Sequence, residues 1–141
     1  MCIRDSSPTD HYVVQQYVKK PLLIDGLKFD IRLYVLVLSI NPMRIYLFNE
    51  GLARFGTNKY QNPGSKNLGN LYMHLTNYAI NKNNKGVFEF NKNLDESNQG
   101  HKRTFQSTLD WIEKHMENGK ERKEAMLLQI EQIIIKTLCT V

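Results

Sequence analysis

Lys28, Asp30 and Arg32 stand at alternate positions in Lys28-Phe29-Asp30-Ile31-Arg32. In an extended chain these three side chains share one face, while Phe29 and Ile31 point the other way into a core. Two cations and one anion converge there, so the strand is not simply amphipathic. A solvated strand face carrying a weak surface ion pair explains the same spacing equally well. A second cluster is Glu50-Gly51-Leu52-Ala53-Arg54. Here Gly51 is expected to take a positive φ and turn the chain, bringing Arg54 back over the Lys28, Asp30 and Arg32 face. An arginine exposed at a strand end is the plainer alternative. The third cluster, His74-Leu75-Thr76-Asn77-Tyr78, sets three short polar side chains among Leu71, Tyr72, Leu75 and Tyr78. A polar pocket is one outcome; a structural histidine beside a turn satisfied by Thr76 and Asn77 is the commoner one.

Other chemistries find no support in the residues. Neither the Walker spacing nor Gly-x-Gly-x-x-Gly occurs. No Ser/His/Asp setting with a recognisable nucleophile is present, and His11, His74, His101 and His115 lack metal-ligand spacing, so no metal site is expected. Cys2 and Cys139 sit at opposite ends and form no disulfide framework, which makes a reducing, cytoplasmic setting the default. The longest apolar run, residues 33–38, is far short of the roughly 20 residues that span a bilayer, and no signal-peptide segment opens the chain. Nineteen basic against fourteen acidic residues leave a net charge of +5, which favours acidic or phosphate-bearing partners. A nucleic-acid surface would interleave exposed aromatics with Lys and Arg; Tyr34, Tyr46 and Phe48 instead fall in strands expected to face a core.

The elements that must position these clusters follow from periodicity. The chain has 141 residues, 41% hydrophobic and 23% charged, which excludes wholesale disorder and allows one core. Residues 1–11 are polar and patternless and read as a disordered or non-native leader. Residues 12–18 are β-branched and aromatic and read as a strand closed by Pro21. Residues 29–40 form a long strand, apolar on both faces beyond Arg32 and therefore expected to be central. Asn41-Pro42 turns it into a returning strand over 44–49, with a short strand at 53–55. Residues 56–70 read as a loop, 71–76 as a short buried element, and 81–102 as a long polar loop with 87–90 extended. Phe105, Leu109, Ile112 and Met116 repeat at helical spacing over 104–116, which Asn118-Gly119 ends. Leu127, Ile130, Ile134 and Leu138 line a second helix over 120–138, with Met126 and Ile133 beside them. The fold class is α+β, and neither end reads as a domain boundary.

Residues 14–37 (VQQYVKKPLLIDGLKFDIRLYVLV) closely resemble the core of the tubulin–tyrosine ligase-like family. Residues 50–60 (EGLARFGTNKY) and 73–82 (MHLTNYAINK) are similar to its next two blocks, in the same order and spacing. Gly100-His101-Lys102-Arg103 resembles a Gly-x-Lys-Arg segment that precedes a helix in the polyglutamylase branch. The likeness covers residues 12–138. It implies an ATP-grasp fold, of which residues 12–141 would be a partial ligase domain truncated at both ends. It also implies ATP-dependent addition of glutamate to acidic tubulin tails through an acyl phosphate, in the cytoplasm on the microtubule cytoskeleton, at the cilium or basal body. Neither nucleic acid nor membrane is an expected partner. A non-catalytic basic module that binds tubulin or another acidic polymer is the competing reading. Lys28, Asp30, Arg32 and Arg54 stand intact against it, since a degenerate relative is free to lose them.

By position in the resembling blocks, Gln15, Gln16, Tyr17 and Val18 would meet adenine through their backbone. Lys28 and Asp30 would hold the nucleotide, Asp30 at the sugar hydroxyls. Arg32 and Arg54 would face the γ-phosphate or acyl phosphate, Arg54 also the amino-acid carboxylate. His74, Thr76 and Asn77 would complete the pocket, and Tyr78 and Lys102 would bind the incoming glutamate. Ala79 stands where many members carry serine. The family's further nucleotide-binding lysines would lie upstream of Gln15, and its Mg²⁺-binding Glu-x-Asn block downstream of Leu138. These residues alone are therefore not expected to turn over.

Overall fold

The computed structural model describes residues 15–89 and 100–140. The elements are β1 (Leu23–Ile24), β2 (Leu27–Ile40), β3 (Met43–Phe55), α1 (Leu71–His74), α2 (Tyr78–Asn81), β4 (Lys102–Thr104), α3 (Phe105–His115) and α4 (Gly119–Leu138). The four strands form one antiparallel sheet in the order β1-β2-β3-β4. The expected α+β class therefore stands, and the hairpin, sheet and two trailing helices fit a partial ATP-grasp domain.

Asp25 and Gly26 join β1 to β2 with φ of 55° and 74°. Positive φ at both central positions of a two-residue loop gives the turn whose twist matches that of its strands. Asp25 also accepts a hydrogen bond from Arg103 Nη2 at 2.7 Å, so the turn is tied to β4.

Register sorts the side chains by face. Asp30 pairs with Arg54, Ile31 with Ala53 and Phe29 with Phe55; β4 sets Arg103 opposite Ala53 and Lys102 opposite Arg54. Directly opposed residues point the same way. One face thus carries Phe29, Ile31, Ala53 and Phe55, and with Ile24, Leu27 and Trp111 of α3 it builds the core. Phe29 and Phe55 stack with ring centroids 5.3 Å apart, and the Arg103 guanidinium lies 4.4 Å over the Phe55 ring. The other face carries Lys28, Asp30, Arg32, Arg54 and Lys102.

Thr104 leads β4 straight into α3, its hydroxyl accepting from Ser107 N at 3.1 Å as a helix cap. Phe105, Leu109 and Ile112 of α3 are buried as the spacing predicts. α4 presents Leu127, Ile130, Ile134 and Leu138 as one half-buried stripe, with Ile133 exposed beside it.

Five expectations change. Residues 15–18 form no strand; they find no ladder partner among the described residues, and residues 12–14, like the leader 1–11, lie outside those described. The segment 53–55 is not a separate strand but the end of β3. Gly51 makes no turn. It lies inside β3 on the core face, where a Cβ would come within 2.7 Å of Arg32 O and 2.8 Å of Leu33 Cδ2, so the missing side chain permits close approach. On the turn side of Gly51, β2 and β3 run on as a two-stranded hairpin, with no third strand beside them among the described residues. Tyr34, Tyr46 and Phe48 are 49%, 54% and 60% exposed there rather than core-facing, because no described element covers that stretch. Finally, the polar span 81–102 begins with the end of α2 and closes with β4; an extended 87–90 is not seen over 87–89, and Phe90 lies outside the described residues.

Candidate functional site

Strand alternation, fixed by the core on the opposite face, delivers the first cluster. Arg54 donates to Asp30 as a two-pronged pair, from Nη2 to Oδ2 at 2.5 Å and from Nε to Oδ2 and Oδ1 at 3.1 and 3.2 Å. Both side chains are about a quarter to a third exposed, so solvent screens the pair while its geometry still orients the guanidinium. Arg32 shares the face two residues along, exposed and without a carboxylate partner among the described residues. Arg32 and Arg54 are thus on the same side of the sheet, although neither follows a strand end: Arg32 is inside β2 and Arg54 is next to last in β3.

Lys28 links this face to the third cluster. Its ammonium donates to the carbonyl of His74 at 2.8 Å, lies 3.4 Å from the Tyr17 hydroxyl, and sits 4.7 Å from the Tyr17 ring centre. His74 is buried at 8% exposure. Its Nε2 is 3.0 Å from the Asn67 carbonyl and its Nδ1 is 2.7 Å from Tyr17 Oη. A carbonyl only accepts, so Nε2 carries the proton; in the neutral ring Nδ1 then accepts from the tyrosine. Tyr60 closes the other side with its ring centroid 6.4 Å from that of His74. Burial, and then the Tyr17 hydroxyl, raise the Tyr60 pKa above its ordinary value.

Of the stretch expected to meet adenine, Tyr17 reaches the site, whereas Gln15, Gln16 and Val18 are exposed and irregular. Thr76 is half-buried. Asn77 caps α2, its Oδ1 accepting from Ala79 N at 2.9 Å. The turn-satisfying alternative therefore describes its side chain. Tyr78 packs edge-on against Phe88, which stacks on His101, the chain neighbour of Lys102. Burial lowers the His101 pKa, and its Nδ1 accepts from Glu89 N at 3.1 Å.

Asn67, Tyr60 and Asn81 escaped the reading of the sequence. Each sits in a run of Asn, Gly and Lys whose composition indicates a loop and nothing about which amide is buried. Among the described residues no group of three or more His, Cys, Asp or Glu converges to hold a metal ion, and no helix is long and apolar enough to cross a membrane.

Residues 2–141 match the tubulin-tyrosine ligase family. A probable beta-tubulin polyglutamylase of Tetrahymena thermophila is 49% identical over 134 residues, which are 95% of this chain and 11% of that protein. Tubulin polyglutamylase TTLL13 of Homo sapiens is 45% identical over 135 residues, 96% of this chain and 15% of its own length. Tubulin polyglutamylase TTLL7 of Mus musculus is 41% identical over 129 residues, 92% of this chain and 13% of its own. The chain thus spans only a small part of each relative.

Proposed function

The chain belongs to the tubulin-tyrosine ligase family, and from that premise we propose that it is part of an ATP-dependent ligase that adds glutamate to carboxylates on tubulin tails. The observation that carries this reading is a convergence. Three blocks distant in sequence put Lys28, Asp30, Arg32 and Arg54 on one sheet face and hold His74 against Lys28.

Lys28, Arg32 and Arg54 outnumber Asp30 on that face, and such an excess attracts a polyphosphate and an acidic peptide alike. Lys28 and Arg32 would neutralise phosphate oxygens. Arg54 would face the group being transferred and the carboxylate of the incoming amino acid. Asp30 holds the Arg54 fork and keeps lone pairs for sugar hydroxyls. Backbone groups of residues 15–18 would meet the base, with His74, Thr76 and Asn77 behind the nucleotide. Tyr78 and Lys102 would receive glutamate. ATP supplies the phosphoryl group that turns the acceptor carboxylate into an acyl phosphate; the amine of glutamate then displaces phosphate and forms the amide bond. The described residues do not by themselves make a Mg²⁺ site, since Asp30 is a lone carboxylate already engaged by Arg54. Residues 12–141 would form part of the ligase domain, and the substrate puts the protein on the microtubule cytoskeleton.

Asp30→Asn tests the nucleotide side of this reading in the full-length protein. The amide keeps the shape but loses charge-assisted acceptance, and the Arg54 fork loses its anion. KM for ATP should rise about tenfold, the size of one charged hydrogen bond, with KM for tubulin unchanged. A fall in tubulin affinity with normal use of ATP would remove Asp30 from the nucleotide pocket.

A further inference from the structure

Asn81 is 1% exposed, and its amide uses its bonding capacity fully. Nδ2 donates to the carbonyls of Leu75 and Asn77 at 2.7 and 3.0 Å. Oδ1 accepts from Thr57 N and from Thr57 Oγ1, both at 3.0 Å. The partners settle which end of the amide is which, because carbonyls only accept and a backbone N–H only donates. The Thr57 hydroxyl in turn accepts from Asn84 Nδ2 at 2.8 Å. Residues 75–77 join α1 to α2, and Thr57 follows the end of β3, where its N–H is shared between Asn81 and the Tyr72 carbonyl at 3.0 Å.

The two segments so joined are those that carry the candidate site. Leu75 and Asn77 bracket Thr76 and follow His74; Thr57 comes three residues after Arg54, with Gly56 bonded through its N–H to the Lys28 carbonyl at 2.8 Å. We propose that Asn81 is a positioning residue for the nucleoside triphosphate pocket, setting the separation between the His74, Thr76 and Asn77 segment and the strand end that presents Arg54. The proposal rests on the nucleotide reading above and deepens it. Asn81 itself is buried and acts through the Leu75 and Asn77 carbonyls and Thr57. A buried polar network of this kind is rigid only when every member is satisfied, so loss of one partner should loosen the segment as a unit.

The experiment uses the full-length protein and binding of a non-hydrolysable ATP analogue measured by calorimetry, beside thermal melts. Asn81→Ala removes the four amide bonds and leaves the Thr57 and Asn58 N–H bonds to the Tyr72 carbonyl in place. Thr57→Val removes the hydroxyl's two bonds, to Asn81 Oδ1 and from Asn84 Nδ2, and keeps the shape, so it decides the matter should Asn81→Ala not fold. Thr57→Ser restores the hydroxyl, and Lys28→Ala serves as the reference for the pocket itself. Thr57→Val should bind the analogue about tenfold more weakly, with Thr57→Ser returning to within about twofold of the wild type. Thr57→Val and Asn81→Ala binding like the wild type, with only the melting temperature lowered, would overturn the proposal while Lys28→Ala still loses affinity. A wild type that binds no analogue, or a Lys28→Ala that binds normally, would overturn the pocket reading and this proposal with it.

Discussion

Replacing Arg54 by alanine in the full-length protein is expected to lower kcat for glutamate ligation by about 10²–10³, the usual effect of removing one preorganised charge stabiliser. The guanidinium is held by Asp30 through three contacts before any substrate arrives, so no reorganisation is needed as negative charge builds on the transferring group. Alanine keeps the strand and removes only a partly exposed ion pair, a class of interaction worth little to stability. Steady-state assays with thermal melts separate the two contributions. A near-normal kcat, or a loss of activity that tracks a large fall in melting temperature, would return Arg54 to a structural role.

The largest stability effect is expected one residue further on. Phe55→Ala should cost about 3–5 kcal/mol in denaturant unfolding, the range for emptying a buried aromatic site. Phe55 is fully buried, stacked on Phe29 and covered by the Arg103 guanidinium. Arg54 and Phe55 are consecutive in one strand, so the ring that anchors one face fixes the direction of the guanidinium on the other. A cost under about 1 kcal/mol would mean that this ring does not anchor the sheet.

The shared face of Lys28, Asp30 and Arg32 was legible because alternation needs nothing but the residue order. The two long helices were equally legible, since Phe105, Leu109 and Ile112 carry their own period. The Asp30–Arg54 pair was not. Its register crosses an irregularity in which three residues of β3, Phe48 to Glu50, stand against Tyr34 alone, and nothing local in the sequence announces that offset. Gly51 was singled out correctly as a special position, and its reason was misread, since the crowding comes from Leu33 and Phe105, which are remote in sequence. Tyr34, Tyr46 and Phe48 show a related difficulty: apolar residues on both faces of a strand report what the chain could bury, and not what covers it. Asn81 was hidden among neighbouring asparagines because two of its four bonds go to Thr57, 24 residues away. Asn77, by contrast, was weighed as a turn residue, and its side chain is one.

The central claim is that this site belongs to a protein that ligates glutamate to tubulin at the expense of ATP. The direct measurement is mass spectrometry of tubulin tail peptides after incubation with the full-length protein, glutamate and ATP, compared with the same reaction lacking ATP. Peptides gaining whole glutamyl residues only when ATP is present, and losing that gain in Arg54→Ala, are the predicted result. Tubulin that binds the protein yet gains no glutamyl residue under any nucleotide condition would contradict the claim and leave a basic tubulin-binding module in its place.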